Sequence, residues 1–371
     1  MFYNKYLEKR AVTFIDYTFP SIKRVYFRSI IIIPAYCESK YIIDTLDSLN
    51  EQVDFDLSSL LVLVVINNSK DDSPNVIEDN RITARLIEKK KSRYNLEYID
   101  AFSIGNGIPG NLAGVGYSRK IGMDFALKYS YPDTILHCLD ADTIVSKDYM
   151  TEITSAYKEK AAKALLVDFE HQRNQSPQLN IHIQNYEFFL KETARCIDEA
   201  GSPYGYVSLG PTITCLADTY VKVGGMVNKK ATEDFYFLQK IRKFTDIIFL
   251  DKKLVFPSSR LSERVYLGTG FRMKELIRGK DVESLYYSNQ SYKILKEIIS
   301  RVLSLYKADE IQLNKELKNI DCSLADFFLK EGLFEVWEKI NSESKSFNQF
   351  ELQFHKWFDN FKTLRLLKFY S

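Results

Sequence analysis

Before residue 270 the apolar residues come in short, dense bursts that alternate between two periods. Ile30-Ile31-Ile32-Ile33 is a β-branched run that stops at Pro34, which predicts a buried strand ending in a loop. Residues 41–52 carry Ile42, Ile43, Leu46 and Leu49 at helical spacing. Residues 60–66 form a second buried run, closed by Asn67-Asn68-Ser69. Residues 76–91 predict a polar helix, with Lys89-Lys90-Lys91 on its solvated face. A third strand over 96–102, a glycine-rich loop, a helix over 117–128 and a fourth strand over 134–139 follow. Ser146 is placed to cap the next helix, which runs through Tyr157. A strand over 165–169, a long helix over 178–200 ended by Gly201-Ser202-Pro203, two short strands and a helix carrying Glu233 and Asp234 complete this part. Strands alternating with helices predict the α/β class, with a mostly parallel sheet and helices on both faces.

From residue 271 the pattern changes, and the rest reads as four or so helices with breaks near Gly279, Ala308, Asp321 and 341–346. Residues 1–28 are aromatic and charged without a clear period and read as an extension packed on the main domain. The expected organisation is therefore 1–28, an α/β domain over 29–270 and a helical region over 271–371. The last helix carries Phe350, Phe354, Trp357, Phe358, Phe361 and Leu364 at helical spacing, with Lys356, Lys362, Arg365 and Lys368 around them. Such a stripe is most often core, and packing on the α/β domain is expected first. A dimer face and peripheral membrane contact through these helices are the alternatives.

Composition narrows the class. Apolar residues at 45% and charged residues at 27% fit a soluble globular chain, and a net charge of +2 argues against nucleic acid as a partner. The cysteines at 37, 138, 196, 215 and 322 are odd in number and form no close pair, against a disulfide framework or zinc cluster. No apolar run is longer than a strand needs, and none follows Lys5, Glu8, Lys9 and Arg10. A cytosolic setting, or the cytosolic face of a membrane, is expected.

The sharpest chemical signal is Asp140-Ala141-Asp142 at the end of an apolar run. Acids at i and i+2 point to the same side of an extended chain, and a divalent cation relieves their repulsion. Hard oxygen ligands suit Mg²⁺ or Mn²⁺ rather than zinc. Beyond the carboxyl ends of parallel strands is also where such sheets bind ligands. Alone the pair is a weak signal, because acidic pairs are common in loops. Glu233-Asp234 is by itself a helix start favoured by acids. The segment holding Arg260 and Arg264, followed by Gly268 and Gly270, suits a loop that closes over diphosphate or an ordinary solvated loop. Gly105-x-Gly107-x-x-Gly110 matches a dinucleotide fingerprint, but Pro109 lacks the amide donor, and 111–115 separate it from the helix. It reads as a flexible loop. The four histidines, at 137, 171, 182 and 355, form no metal pattern.

In order along the chain, several segments resemble family-2 glycosyltransferases of the GT-A fold. They are 30–38, 67–73, 116–122, Asp140-Ala141-Asp142, 209–212, 223–226 and 231–235. The resemblance spans about residues 29–270. It implies a Rossmann-like nucleotide-diphospho-sugar transferase domain and a helical C-terminal region. It also implies inverting transfer from a UDP- or other nucleotide-sugar donor to a saccharide or lipid-linked saccharide, in surface glycan or polysaccharide synthesis. Pro34, Ala35, Tyr36 and Glu38 would line the base and ribose, and Arg119 would lie near the nucleotide. Asp140 would hold the ribose or the metal shell, and Asp142 the metal and diphosphate. Asp234 would be the general base, with Glu233 beside it. Asn67 stands where many members have an acid that touches uracil. The chain lacks Gln-x-x-Arg-Trp, which points to single addition rather than polymerisation. A nucleotide-sugar binder without turnover is the alternative, and a nicotinamide-dependent oxidoreductase, resting on the glycine loop alone, a remote one.

Overall fold

The computed structural model describes residues 3–12, 22, 26–229, 231–261, 268–279 and 282–371. The chain falls into two compact units, 1–183 with 208–275, and 184–207 with 276–371.

The first unit opens with α1 (Asn4–Lys9), then β1 (Phe27–Ala35), α2 (Ile42–Asn50), β2 (Leu60–Asn67), α3 (Pro74–Lys89), β3 (Asn95–Ala101), α4 (Val115–Ala126) and β4 (Ser130–Cys138). There follow β5 (Ile144–Val145), α5 (Tyr149–Lys160), β6 (Ala164–Phe169), α6 (Pro177–Glu199), β7 (Ile213–Leu216), α7 (Ala217–Lys222), α8 (Glu233–Phe244) and β8 (Ile248–Phe256). α6 begins in the first unit and continues in the second, as does α9 (Thr269–Ile277).

One sheet of eight strands runs β3-β2-β1-β4-β7-β6-β8-β5. β1 pairs in parallel with β2 and β4, β2 with β3, and β6 with β8, while β7 and β5 run against their neighbours. Six of the eight strands therefore share one direction, as the alternating pattern predicts. Ile30 to Ile33 and the whole of β2 are buried, as central parallel strands covered on both faces must be. α4 crosses β1 and β2 at Gly122, where a Cβ would run into Ile32 and Val65. That close approach is why a glycine stands in mid-helix.

In the first unit the structure departs from the sequence reading at several elements. α5 starts after Asp148, and the Ser146 hydroxyl donates to the Asp148 carboxylate at 2.7 Å rather than capping the helix itself. Of the two short strands expected around Glu233, one is the nine-residue β8 and follows α8. Its alternating pattern is broken by Asp251-Lys252-Lys253, which hid its length. The glycine-rich loop is tied down: Ile108 is buried, its amide donates to Asn68 O at 2.8 Å, and its carbonyl accepts from the Lys70 amide at 2.9 Å.

The N-terminal α1 lies on the α4–α7 side. Tyr6 and Tyr220 both donate to Asp124 Oδ1, at 2.9 and 2.7 Å, and the Val12 amide donates to Oδ2 at 2.9 Å. Gly224 and Gly225, with φ of 79° and 74°, turn the chain beneath Arg10 and Tyr6.

In the second unit, α10 (Asn289–Ser304), α11 (Glu310–Ile320), α12 (Cys322–Lys330), α13 (Leu333–Glu343), α14 (Phe347–Trp357) and α15 (Asn360–Phe369) make six helices among the described residues, more than the four or so expected. The breaks are short and capped by Asp309, Asp321, Ser346 and Asp359. The aromatic stripe is split by the last of these caps. Phe350, Phe354 and Phe358 are fully buried with Trp337 and Phe328, while Phe361, beyond the break, is 45% exposed. Within α6, residues 184–199 pack Ile197 into the same core. Among the described residues no helix is long and apolar enough to cross a membrane.

Gly122→Ala tests the close approach of α4 to the sheet. The helix gains about 1 kcal/mol from losing a glycine, but overpacking against Ile32 and Val65 costs about 1–3 kcal/mol. Denaturant unfolding is expected to show net destabilisation; a stabilised variant would mean that α4 has room to shift.

Candidate functional site

β1, β2, β4 and β8 point the same way, so the chain leaves them all at one edge of the sheet. At that edge the first unit gathers its candidate residues. Pro34 and Ala35 are the last residues of β1, and Tyr36, Cys37 and Glu38 form the loop beyond it. Cys37 has a left-handed φ of 55°, which turns the loop back over α3. Two residues of α3 hold it there. Asp79 accepts from the Ser39 amide at 3.2 Å and from its hydroxyl at 2.6 Å. Asn80, fully buried, accepts from the Cys37 amide at 3.0 Å and donates to Asn67 O and Asn68 Oδ1, both at 3.0 Å. Asn80 thus ties the ends of β1 and β2 together. Sequence reasoning missed it, because a lone Asn in a polar helix carries no signal of burial.

Asn67 turns inward. With its amide oriented to suit its neighbours, the nitrogen donates to Ala35 O at 3.3 Å and Val65 O at 3.2 Å, and the oxygen accepts from Ser118 Oγ at 3.0 Å. Its side chain is spent on joining β1, β2 and α4.

The acidic pair sits just past β4, but not on an extended chain as the sequence suggested. The Thr143 amide donates to Asp140 O at 3.1 Å, which closes a turn and sends the two carboxylates to different partners. Thr45 Oγ1 donates to Ala141 O at 2.9 Å, and Gln172 Nε2 to Asp142 O at 2.9 Å, so the turn is held from α2 and from the segment after β6. Asp142 Oδ2 accepts from Arg260 Nε at 2.6 Å. The same guanidinium donates through Nη2 to both oxygens of Glu38, at 2.6 and 2.8 Å, and lies 4.1 Å from the Tyr41 ring centre. Arg260 therefore joins the loops after β1, β4 and β8. Arg264 lies outside the described residues.

Asp140 pairs with Arg119 Nη2, and Arg119 Nη1 pairs with Glu233. Arg119 on α4 is 3% exposed and Glu233, the first residue of α8, 2%. α4 can come this close to α8 because residue 116 is glycine; a Cβ there would strike Lys229 O and Glu233 Cβ. Burial pushes the Glu233 carboxyl up to about 7, with Arg119 opposing and Asp234 adding to the rise. The Arg119 guanidinium, shared with Asp140, does not offset the desolvation of the enclosed Glu233 carboxyl. Asp234 keeps some exposed surface but is surrounded densely enough that burial raises its carboxyl as well, Arg119 again opposing. Asp234 Oδ1 accepts from the Phe235 amide at 2.8 Å. In the sheet beneath, burial pushes the Cys138 thiol up to about 12 and His137 down to about 3, which leaves both neutral and without a nucleophile's or a cation's role.

No three of the described His, Cys, Asp and Glu side chains converge to cage a metal. The donor set nevertheless fits a hard cation of the Mg²⁺ or Mn²⁺ type, which is seated by one or two carboxylates plus the phosphate oxygens of its substrate. Of the carboxylates at this edge, Asp142 faces a cationic group, Arg260 Nε, at 2.6 Å, and Asp140 pairs with Arg119.

Residues 30–106 match the family described as Glycosyl transferase family 2. No curated protein sequence matches the chain. Among solved structures, that of S. aureus TarS 1-349 in complex with UDP-GlcNAc is 18% identical, covers 89% of this chain and 91% of its own, and aligns with a TM-score of 0.47. The mannosyltransferase PcManGT from Pyrobaculum calidifontis, in complex with GDP-Man and Mn²⁺, is 12% identical, with 97% and 94% covered and a TM-score of 0.43. Glucosyl-3-phosphoglycerate synthase from Mycobacterium tuberculosis is 13% identical, with 68% and 77% covered and a TM-score of 0.40.

The raised Glu233 carboxyl makes a prediction about stability. Its folded value of about 7 lies above the 4.5 of an unperturbed Glu, so its contribution is fully present below about pH 4.5 and is lost as pH rises through 7. Thermal melts of the wild type are expected to lose stability between pH 5 and pH 8 relative to Glu233→Gln, which has no such proton to release. Parallel pH profiles for the two proteins would contradict this.

Proposed function

We propose that this chain, a family-2 glycosyltransferase with the GT-A fold, moves a sugar from a nucleotide-diphosphate sugar to an acceptor hydroxyl in a single, inverting displacement. The observation that carries the reading is the meeting, at one sheet edge, of Asp140, Asp142, Glu38 and Arg260 with the partly exposed Asp234. Anion-neutralising and proton-accepting groups are both needed to expel a diphosphate and deprotonate a hydroxyl, and both are present.

In this reading the loop after β1, with Pro34, Ala35, Tyr36 and Glu38, takes the base and ribose. Asn80 and Asp79 keep that loop in shape. The donor is a UDP-sugar or another nucleotide-diphosphate sugar. Because the Asn67 amide is engaged within the sheet, base recognition falls to the loop rather than to Asn67. Asp142, with Asp140, would hold Mg²⁺ or Mn²⁺, which neutralises charge on the leaving diphosphate when bound. Arg260, and Arg264 beyond it, supply further positive charge to the same phosphates. Asp234 accepts the proton of the attacking hydroxyl as the bond to the anomeric carbon forms. A carboxylate raised by burial is a stronger base than one in water, which suits that task. Inversion follows from attack on the face opposite the leaving group. The acceptor is a saccharide or lipid-linked saccharide of surface glycan or polysaccharide synthesis, and the reaction takes place in the cytosol or at its membrane face. Residues 29–270 carry the chemistry and 271–371 the helical accessory region.

Calorimetric titration of UDP and of GDP, with and without Mn²⁺, tests the reading. Metal-dependent binding of one of them is expected, weakened by about tenfold or more in Asp142→Ala, a loss of about 1.4 kcal/mol or more. Failure of both nucleotides to bind the folded wild type would refute the donor site.

A further inference from the structure

The arrangement around Arg119 goes beyond a charged residue placed near a nucleotide. Its guanidinium is enclosed on every side that the structure describes. Nη1 donates to Glu233 and Nη2 to Asp140, while Nε is buried without a hydrogen-bond partner. Gly210 lies so close to the guanidinium that any Cβ there would overlap it, and Gly116 allows α4 to reach the start of α8. Two of the glycines in the family-like segments are thus explained by the seating of one arginine rather than by contact with a substrate.

α8 also begins under an unusual constraint. Thr232, the residue before it, has a left-handed φ of 65°, and its side chain makes no capping hydrogen bond. Only glycine adopts this conformation freely, so something beyond the local backbone must hold the helix start in place. The buried pair of Arg119 with Glu233 does that, and the other arm of the same planar guanidinium fixes Asp140.

We propose that Arg119 is a positioning residue that sets the separation between Asp140 on the donor side and Asp234, one residue beyond Glu233, on the acceptor side, and that it does not touch the nucleotide. The terms donor and acceptor side rest on the transferase reading. The mechanical coupling of the two segments rests on the geometry alone. A rigid, two-armed guanidinium between a donor-holding acid and the residue preceding a base transmits any displacement of one to the other.

The test uses the full chain and two variants, Arg119→Lys and the double variant Arg119→Met/Glu233→Gln. The second removes the acid that would otherwise be left buried and unpaired. Calorimetry with UDP and Mn²⁺, turnover of UDP-sugar measured as nucleotide release, and hydrogen exchange over residues 139–143 and 231–236 are read together. UDP affinity is expected to stay within about twofold of wild type while kcat falls about 100-fold in the double variant and about tenfold in Arg119→Lys, as a small misplacement of reacting groups does. Exchange is expected to quicken at both segments in both variants. UDP binding weakened by about tenfold with kcat retained would make Arg119 a nucleotide contact and overturn the proposal. Exchange that quickens at one segment alone, or at neither, would overturn it as well. If the wild type binds no nucleotide, the transferase reading is what fails, and hydrogen exchange alone then decides the coupling.

Discussion

Charge balance at the edge where β1, β2, β4 and β8 end governs how this half of the molecule is built. Glu38, Asp140, Asp142, Glu233 and Asp234 come together there from three separate stretches of chain. Buried acids left without partners cost several kcal/mol each, so the fold has to deliver cations to the same place. Among the described residues it delivers Arg119 from α4 and Arg260 from the loop after β8, and each bridges two acids. The remaining features of the edge follow from seating those side chains. Glycine stands at 116 and 210, the turn at 140–143 sends its acids apart, and α8 starts from a left-handed Thr232.

The two arginines differ in what they leave open. Arg119 is sealed and shares its charge within the protein, whereas Arg260 is partly buried and stacks on Tyr41 at the mouth of the loops. Burial raises both Glu233 and Asp234 despite Arg119, so the protein holds these carboxyls as reluctant anions. For Asp234 that is the property of a useful proton acceptor. For Glu233 it is the consequence of being walled in.

How much of this could be read from the chain depended on whether the signal was local. The parallel α/β architecture showed in the apolar runs at 30–33 and 60–66, because strands covered on both faces have no polar positions to hide them. Asp140 and Asp142 stood out for a similar reason, as acids at the end of such a run. Asn80, Thr45 and Gln172, which hold the loops in place, were invisible: single polar residues whose partners lie 12 to 96 positions away in sequence look like any surface residue. The length of β8 was hidden by its exposed charged centre. The C-terminal stripe announced burial correctly for Phe350, Phe354 and Phe358, but periodicity alone ran through the Asp359 cap and drew Phe361 into the same face. Likewise, the spacing of the two aspartates suggested a common direction, which the turn at 140–143 removes.

The central claim is that a proton acceptor at the start of α8 works on a donor held by the β1 and β4 loops. The most direct measurement is nucleotide release from a UDP- or GDP-sugar by Asp234→Asn, an isosteric change that keeps the hydrogen bond from the Phe235 amide available. The account predicts that the variant still binds the nucleotide with Mn²⁺ but releases it from the sugar about 100-fold or more slowly than wild type. Release at the wild-type rate by a folded Asp234→Asn would contradict it.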